Sequence, residues 1–352
     1  DRFDRALETQ ASMVECQATF YSYLGHMVRS KREEMMRKKR REDLKEGEAI
    51  VTTDWKMKLL AMMFREGSKE WYGKKGISCI GLMVLQRIPA ALEPSTLGKS
   101  TELKGDFMVS FYDLITDDPK QDAYSVACAK MKVFVALRDH VNPLLRVHTI
   151  YEEEDGAGCF GGVFGRNSIR HYEDWTFDDD TDRCVKVIAV SFGEPQTNKS
   201  FLDTHFAYVG AAITKGVTVS KGEAVDAASC QSALERANLQ SSHCWVMQPN
   251  REFQATFESR KQIDFAKASY TKVVDVVIGG HQYKGLLSRN YGMGPWTFHS
   301  EEELNKCWPN GTPVRPRCKL EEDSDDDDSN DDDDDVGGES AKKKMRKMPS
   351  VR

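Results

Sequence analysis

The chain has 352 residues, 39% hydrophobic and 30% charged, which is enough for one large domain or two modest ones around a buried core. The formal net charge of −6 lies in the last 34 residues, which hold 13 acidic and 7 basic side chains, whereas the rest holds 43 of each, so the overall isoelectric point does not exclude an anion-binding body. No apolar run approaches the roughly 20 residues of a membrane span, and nine scattered cysteines without a CxxC pair indicate reduced thiols in the cytosol or nucleus.

Residues 1–48 contain few glycines and no proline, and they predict a helical basic arm. Its basic side chains are concentrated in one run with only two acids among them: Arg29, Lys31, Arg32, Arg37, Lys38, Lys39, Arg40 and Arg41. Such a run is either a solvated helix face or a surface that contacts DNA phosphates or directs nuclear import, and the interpretations stay open.

Residues 49–215 are predicted to form an α/β core. Apolar, β-rich runs give strands at 49–53, 77–85, 107–115, 144–151 and 185–192, and helical spacing follows at 122–140 and 200–213. Three successive strands favour an antiparallel meander, and the last two, which alternate with helices, suit parallel additions to the same sheet. The fold class is therefore a mixed five-stranded sheet flanked by helices.

The remaining chain divides in two. Residues 216–310 predict an α+β extension, with a helix at 221–237 and strands at 244–247 and 273–278. Residues 311–352 predict a disordered tail, because the acidic run at 321–335 cannot collapse against itself, and a basic run follows at 342–347.

Three acids stand where predicted strands end or a helix begins. Asp54 follows the first strand, Asp155 follows the fourth, and Asp203 lies in the helix after the fifth. Neighbouring strand ends converge at one edge of an open sheet, and three clustered carboxylates cannot all stay ionised without cations between them. Oxygen ligands select Mg²⁺ or Mn²⁺, and two such ions clamp the attacking and leaving oxygens of a phosphodiester.

The third ligand has two candidates. Asp203, Ala207 and Gly210 form a stripe of small residues on one helix face, which allows close approach to a sheet. Glu194, in the turn at 192–196, is the alternative. Asp203 is preferred because a helix holds a ligand more rigidly than a loop. Taken singly, each acid could also be an ordinary turn or cap residue.

The segments around these acids resemble the catalytic blocks of RNase H-like (DDE/DDD) transposase domains from eukaryotic DNA transposons. The resemblance rests on TDWKMK at 53–58 with EWYGKKGI at 70–77, on DGAGCF at 155–160, and on FGEPQTNKSFLD at 192–203. It covers roughly residues 20–230 and keeps the three blocks in order.

The resemblance implies an RNase H-like fold and Mg²⁺-dependent hydrolysis and strand transfer of DNA. Asp54 and Asp155 would bridge two Mg²⁺ or Mn²⁺ ions, and Asp203 would hold one of them. Lys56 and Lys199 join the basic arm as expected DNA contacts. The protein would act in the nucleus with DNA as partner and no membrane, its acidic tail would bind basic chromatin proteins, and oligomers are compatible with this function.

Two other functions stay open. The sequence GAGCFG at 156–161 matches a dinucleotide-binding fingerprint, although four acids directly before it would repel a pyrophosphate. In the second, the chain is a catalytically inactive, transposon-derived protein that binds DNA or chromatin, with an acidic tail of the kind that binds basic partners or screens a basic arm.

Overall fold

The computed structural model describes most of the chain. The described residues are 2–63, 76–92, 102–154, 160, 162–193, 201–220, 222–239, 241–257, 265, 268–278, 280–290, 295–308 and 313–319. Asp155, Glu194, Lys199 and the tail from residue 320 onward lie outside them, so the roles assigned to these residues stay predictions.

The strands of the first half pair as the sequence predicts. They are β1 (Glu48–Leu60), β2 (Met62–Met63), β3 (Gly76–Arg87), β4 (Glu102–Lys104), β5 (Phe107–Thr116), β6 (Thr149–Glu154) and β7 (Lys186–Phe192). β1, β3 and β5 pair antiparallel, β6 adds to β1 in parallel, and β7 adds to β6 in parallel. The predicted mixed sheet is confirmed.

The sheet is larger than the five strands predicted. The second half adds β8 (Glu223–Ala224), β9 (Ser242–Val246), β10 (Ala268–Ile278), β11 (His281–Asn290) and β12 (Thr297–Ser300). The sheet order is β12-β11-β10-β7-β6-β1-β3-β5-β4, with β9 also paired to β5, while β2 and β8 form a separate pair. β9 and β10 supply backbone partners to β5 and β7, which would otherwise be open edges.

Helices cover both faces of the sheet. They are α1 (Arg2–Asp43), α2 (Ala123–Arg138), α3 (Val163–Ser168), α4 (Tyr172–Trp175), α5 (Phe201–Ser220), α6 (Ala227–Ala237) and α7 (Glu301–Asn305), with 3₁₀ turns at Pro143–Leu145 and Arg251–Phe257. The Asp122 side chain caps α2 by accepting a hydrogen bond from the Ser125 N–H, and Asp226 caps α6 in the same way. Within the described residues, no helix is long and apolar enough to cross a membrane.

Alternation along the central strands separates two cores. On one face, Val51, Leu82 and Leu114 pack with apolar residues of α2 and α4; we call it the α2 face. On the other, Met83 and Phe111 pack against α5, and Cys79 and Ile115 pack against α5 and α6; we call it the α5 face. Because helices cover both faces, β3 is buried along nearly its whole length.

Two of the predicted strand boundaries, both next to proposed acids, were wrong. The first strand does not end before Asp54 but continues to Leu60, because β3 pairs with this segment as far as its own first residue, Gly76. The fourth strand begins only at Thr149, since Pro143 starts a 3₁₀ turn, and it extends through Glu154. The acidic run before Asp155 is therefore strand and not loop.

Candidate functional site

A row of residues on the α5 face marks the candidate site. Asp54 of β1 pairs directly with Gly81 of β3, and Gly81 pairs with Asp113 of β5. Directly opposed residues share one face of a sheet, so all three belong to the α5 face. A Cβ added to Gly81 would lie 2.5 Å from Cε1 of Phe206, which shows that α5 packs directly onto this row.

One side of α5 is turned toward β1. Lys56, two residues after Asp54, donates from Nζ to the Phe206 carbonyl at 2.7 Å, and a Cβ added to Gly210 would lie 3.5 Å from the same Nζ. Asp203 precedes Gly210 by seven residues and therefore lies on the same side of the helix. The structure thus places Asp54 and Asp203 on facing elements above one sheet face. Asp54 is half-buried and accepts a hydrogen bond from the Trp55 N–H, whereas Asp203 is exposed.

The remaining predicted ligands can be located only by their neighbours in the chain. Glu154, the last residue of β6, pairs with Thr53, so β6 ends beside Asp54. Asp155 follows Glu154 in the sequence but lies outside the described residues, as does Glu194. Among the residues that are described, no group of three or more His, Cys, Asp or Glu side chains could hold a metal ion.

A buried charge cluster supports the end of β6 from the α2 face. Lys130 of α2 contacts both Glu152 and Glu154, lying 2.9 Å from the Glu152 carboxylate, and all three side chains are at most 2% exposed. Burial raises the pKa of Glu152 to about 7, against the lowering effect of the Lys130 ammonium. Burial would lower the pKa of Lys130, but the two carboxylates raise it above its usual value. Sequence reasoning missed this cluster.

A second buried contact holds α5 on β5. The fully buried Asp113 carboxylate lies 2.8 Å from Nε2 of His205 and accepts a hydrogen bond from the Ser242 hydroxyl at 2.8 Å. The His205 ring stacks on Phe111 with 4.1 Å between ring centroids. These contacts lie on the side of α5 opposite to Asp203. They orient the helix and take no part in the arrangement of Asp54 and Asp203.

The basic run of α1 does not form one uniform surface. Arg37 and Arg40 are largely buried and face Glu153 of β6, with N–O distances of 3.9 and 3.5 Å, and Arg40 also donates to Ser191 at 2.9 Å. They dock α1 onto the α5 face. On the exposed side, Lys31 pairs with Glu34 and Lys38 pairs with Glu42. Arg29, Arg32, Lys39 and Arg41 complete the run, and Lys56 is engaged by α5 through the Phe206 carbonyl.

Gly81 provides a test of how α5 sits on the sheet. Gly81→Ala is expected to destabilise the fold by about 1–3 kcal/mol, because the new Cβ would overlap the Phe206 ring and force α5 to shift. Gly210→Ala is the matched control and is expected to be neutral or to stabilise by up to about 1 kcal/mol, since its Cβ meets only ordinary contacts and alanine favours a helix. Urea denaturation measures both, and equal stabilities would contradict the described packing.

Comparisons with known proteins found no family model, no curated protein and no solved structure that matches this chain. The described residues define a mixed α/β protein with helices on both faces of one sheet, and with acidic side chains along the face that carries α1 and α5.

Proposed function

We propose that this chain is a transposase-like protein with an RNase H-like core that cleaves and transfers DNA phosphodiesters with two Mg²⁺ or Mn²⁺ ions. The observation that carries the proposal is the arrangement on the α5 face, where Asp54 lies beside the end of β6 and Asp203 lies on the side of α5 turned toward β1. Asp54, Asp155 and Asp203 are the proposed ligands, with Glu194 as the alternative for the third.

The connectivity of the sheet supports the RNase H-like part of the proposal. Three antiparallel strands come first, and two strands parallel to the first are then added on its free side, each after a helical segment. A further helix, α5, follows the fifth strand and returns over the sheet. This is the order in which the three resembling segments occur, with one proposed acid on β1, one directly after β6 and one on α5.

The described donors fit a hard cation. Asp54 and Asp203 offer carboxylate oxygens, which Mg²⁺ and Mn²⁺ prefer. The Lys56 ammonium, two residues along β1 from Asp54, donates to the Phe206 carbonyl of α5. Bound beside Asp54, two ions would activate water and neutralise the charge that develops on the phosphodiester oxygens. The chain's own part is to hold its carboxylates in place, through the Trp55 N–H for Asp54 and through the packing of α5 for Asp203.

DNA would be held by those basic side chains of α1 that neither dock the helix nor pair with an acid of the helix itself. Arg37 and Arg40 are engaged by Glu153 and Ser191, and Lys31 and Lys38 pair with acids of α1. Arg32 and Lys39 are left for backbone contacts. Phosphate contacts release counterions, and binding should therefore weaken steeply as salt rises.

The test is a nicking assay on supercoiled plasmid with the full chain. The proposal predicts nicked and linear products with Mg²⁺ or Mn²⁺ and none with EDTA. Salt-dependent DNA binding without cleavage in either metal would overturn the catalytic proposal and favour the inactive, DNA- or chromatin-binding alternative. A chain that neither cleaves nor binds DNA would exclude the catalytic proposal and the DNA-binding alternative.

A further inference from the structure

A cleft of about 410 Å³ lies between α1 and strands β1, β6 and β11, away from the carboxylates proposed as metal ligands. Its charged lining consists of Arg32, Lys39 and Arg40 of α1, Arg289 of β11, and the acids Asp43 and Glu48. Because Arg40 is paired with Glu153 outside the lining, three cations face two acids, and the cleft is a candidate site for an anion.

Two of these cations are available to a ligand. Arg32 and Lys39 make no ion pair with any residue in the described part of the chain. Arg40 already pairs with Glu153 at 3.5 Å and donates to Ser191, and it lies 5.7 Å from the centroid of the Tyr151 ring, another lining residue. The guanidinium of Arg40 is thus held in place while the other two can move onto a bound anion.

Arg289 gives the second, independent observation. Its guanidinium carbon lies 4.3 Å from the ring centroid of Trp296 and 5.5 Å from that of Tyr270, so aromatic rings fix its position. Its Nε is buried and has no hydrogen-bond acceptor among the described residues. A buried donor without an acceptor is unfavourable, so Arg289 lines the cleft with part of its hydrogen-bonding capacity unused.

We propose that this cleft binds a phosphate of the DNA backbone, several nucleotides from the phosphodiester that is cleaved. The inference rests on the proposed function for the identity of the nucleic acid. Glu48, which lines the cleft, lies six residues before Asp54 along β1, which corresponds to about 20 Å at roughly 3.3 Å per residue. One DNA strand rises about 3.4 Å per nucleotide, so about five or six nucleotides separate the two phosphates.

Neighbouring lysines of α1 allow a matched test. Lys39 lines the cleft, whereas Lys38 is 75% exposed and pairs with Glu42 outside it. Fluorescence anisotropy of a labelled duplex, with the full chain in EDTA, would compare Lys39→Gln and Arg289→Gln with Lys38→Gln. We expect Lys39→Gln and Arg289→Gln to weaken binding roughly five- to tenfold near 0.1 M salt and to lower the salt slope by about 1. Lys38→Gln should bind nearly as the parent does.

The outcomes separate this inference from the proposed function. Equal affinities of Lys38→Gln and Lys39→Gln, in a parent chain that cleaves DNA, would overturn the cleft and leave the catalysis standing. Weaker DNA binding by Lys39→Gln than by Lys38→Gln, in a parent chain that cleaves no DNA, would support the cleft and overturn the catalytic proposal. Free phosphate is the competing ligand: if inorganic phosphate binds in a Lys39-dependent way while duplex binding ignores Lys39, the cleft is not a DNA site. Lys39 is exposed, so its variant should fold, and thermal denaturation checks Arg289→Gln.

Discussion

Asp54→Asn is expected to lower metal-dependent DNA cleavage by more than about 100-fold while the protein stays folded. Loss of a group that merely orients a metal ligand commonly lowers activity roughly 10–100-fold, and here a ligand itself would lose its charge. Asn keeps the shape of Asp54 and can still accept the Trp55 N–H, so the strand should be unaffected. The measurement is the initial rate of plasmid nicking at saturating Mg²⁺, with circular dichroism to check the fold.

Two further variants make this result specific. Asp203→Asn should show a loss of similar size, because Asp203 lies on the side of α5 that faces β1. Asp106→Asn is the matched control, since Asp106 is exposed in the turn between β4 and β5, and it should cleave as the parent chain does. Parental cleavage rates in Asp54→Asn would show that Asp54 takes no part in the reaction.

Lys130→Met is expected to destabilise the fold by about 3–5 kcal/mol, the usual range when one partner of a buried ion pair is removed. The variant leaves Glu152 and Glu154, both at most 1% exposed, without their cation. Urea denaturation at neutral pH measures the free energy of unfolding. Glu152→Gln is the control and should be milder, because Lys130 keeps Glu154 as its partner.

The pH dependence of the free energy of unfolding identifies why Lys130→Met loses stability. Burial raises the pKa of Glu152 above its unfolded value, and Lys130 is the main group that lowers it, so the folded pKa rises further in Lys130→Met. A raised carboxyl pKa gives stability that is complete below the unfolded pKa near 4.5 and is lost as pH rises through the folded pKa. The difference between Lys130→Met and the parent chain should therefore shrink as pH falls from about 8 toward 5. A difference that is independent of pH would indicate lost packing instead of unpaired carboxylates.

Sequence patterns were sufficient for the order of the core strands and for the side of α5 that carries Asp203. A period of 3.6 puts Asp203 and Gly210 on one side of that helix. Asp54 was expected after the first strand, whereas it lies within β1, and its face became known only from the pairing with β3. The strand boundaries were less accessible, because Glu152 and Glu154 read as an acidic loop unless their cation on α2 is known. Such partners lie far apart in sequence, and no local pattern connects them.

In the basic arm, too, the sequence pattern was not sufficient to assign the role of each residue. Its eight basic residues have one charge pattern, yet Arg37 and Arg40 dock the helix on the sheet while Lys31 and Lys38 face solvent. Only Glu153 and Ser191, which come from distant strands, distinguish them. The cleft beside α1 was likewise invisible in the sequence, because Arg289 belongs to a strand that joins the sheet from outside the predicted core.

Binding of Mn²⁺ to the full chain, followed by electron paramagnetic resonance, tests the central proposal most directly because it needs no DNA substrate. We expect two Mn²⁺ ions per parent chain, clearly weaker binding in Asp54→Asn and Asp203→Asn, and parental binding in Asp106→Asn. Mn²⁺ binding that is unchanged in Asp54→Asn and Asp203→Asn, or no binding by the parent chain, would contradict the proposal.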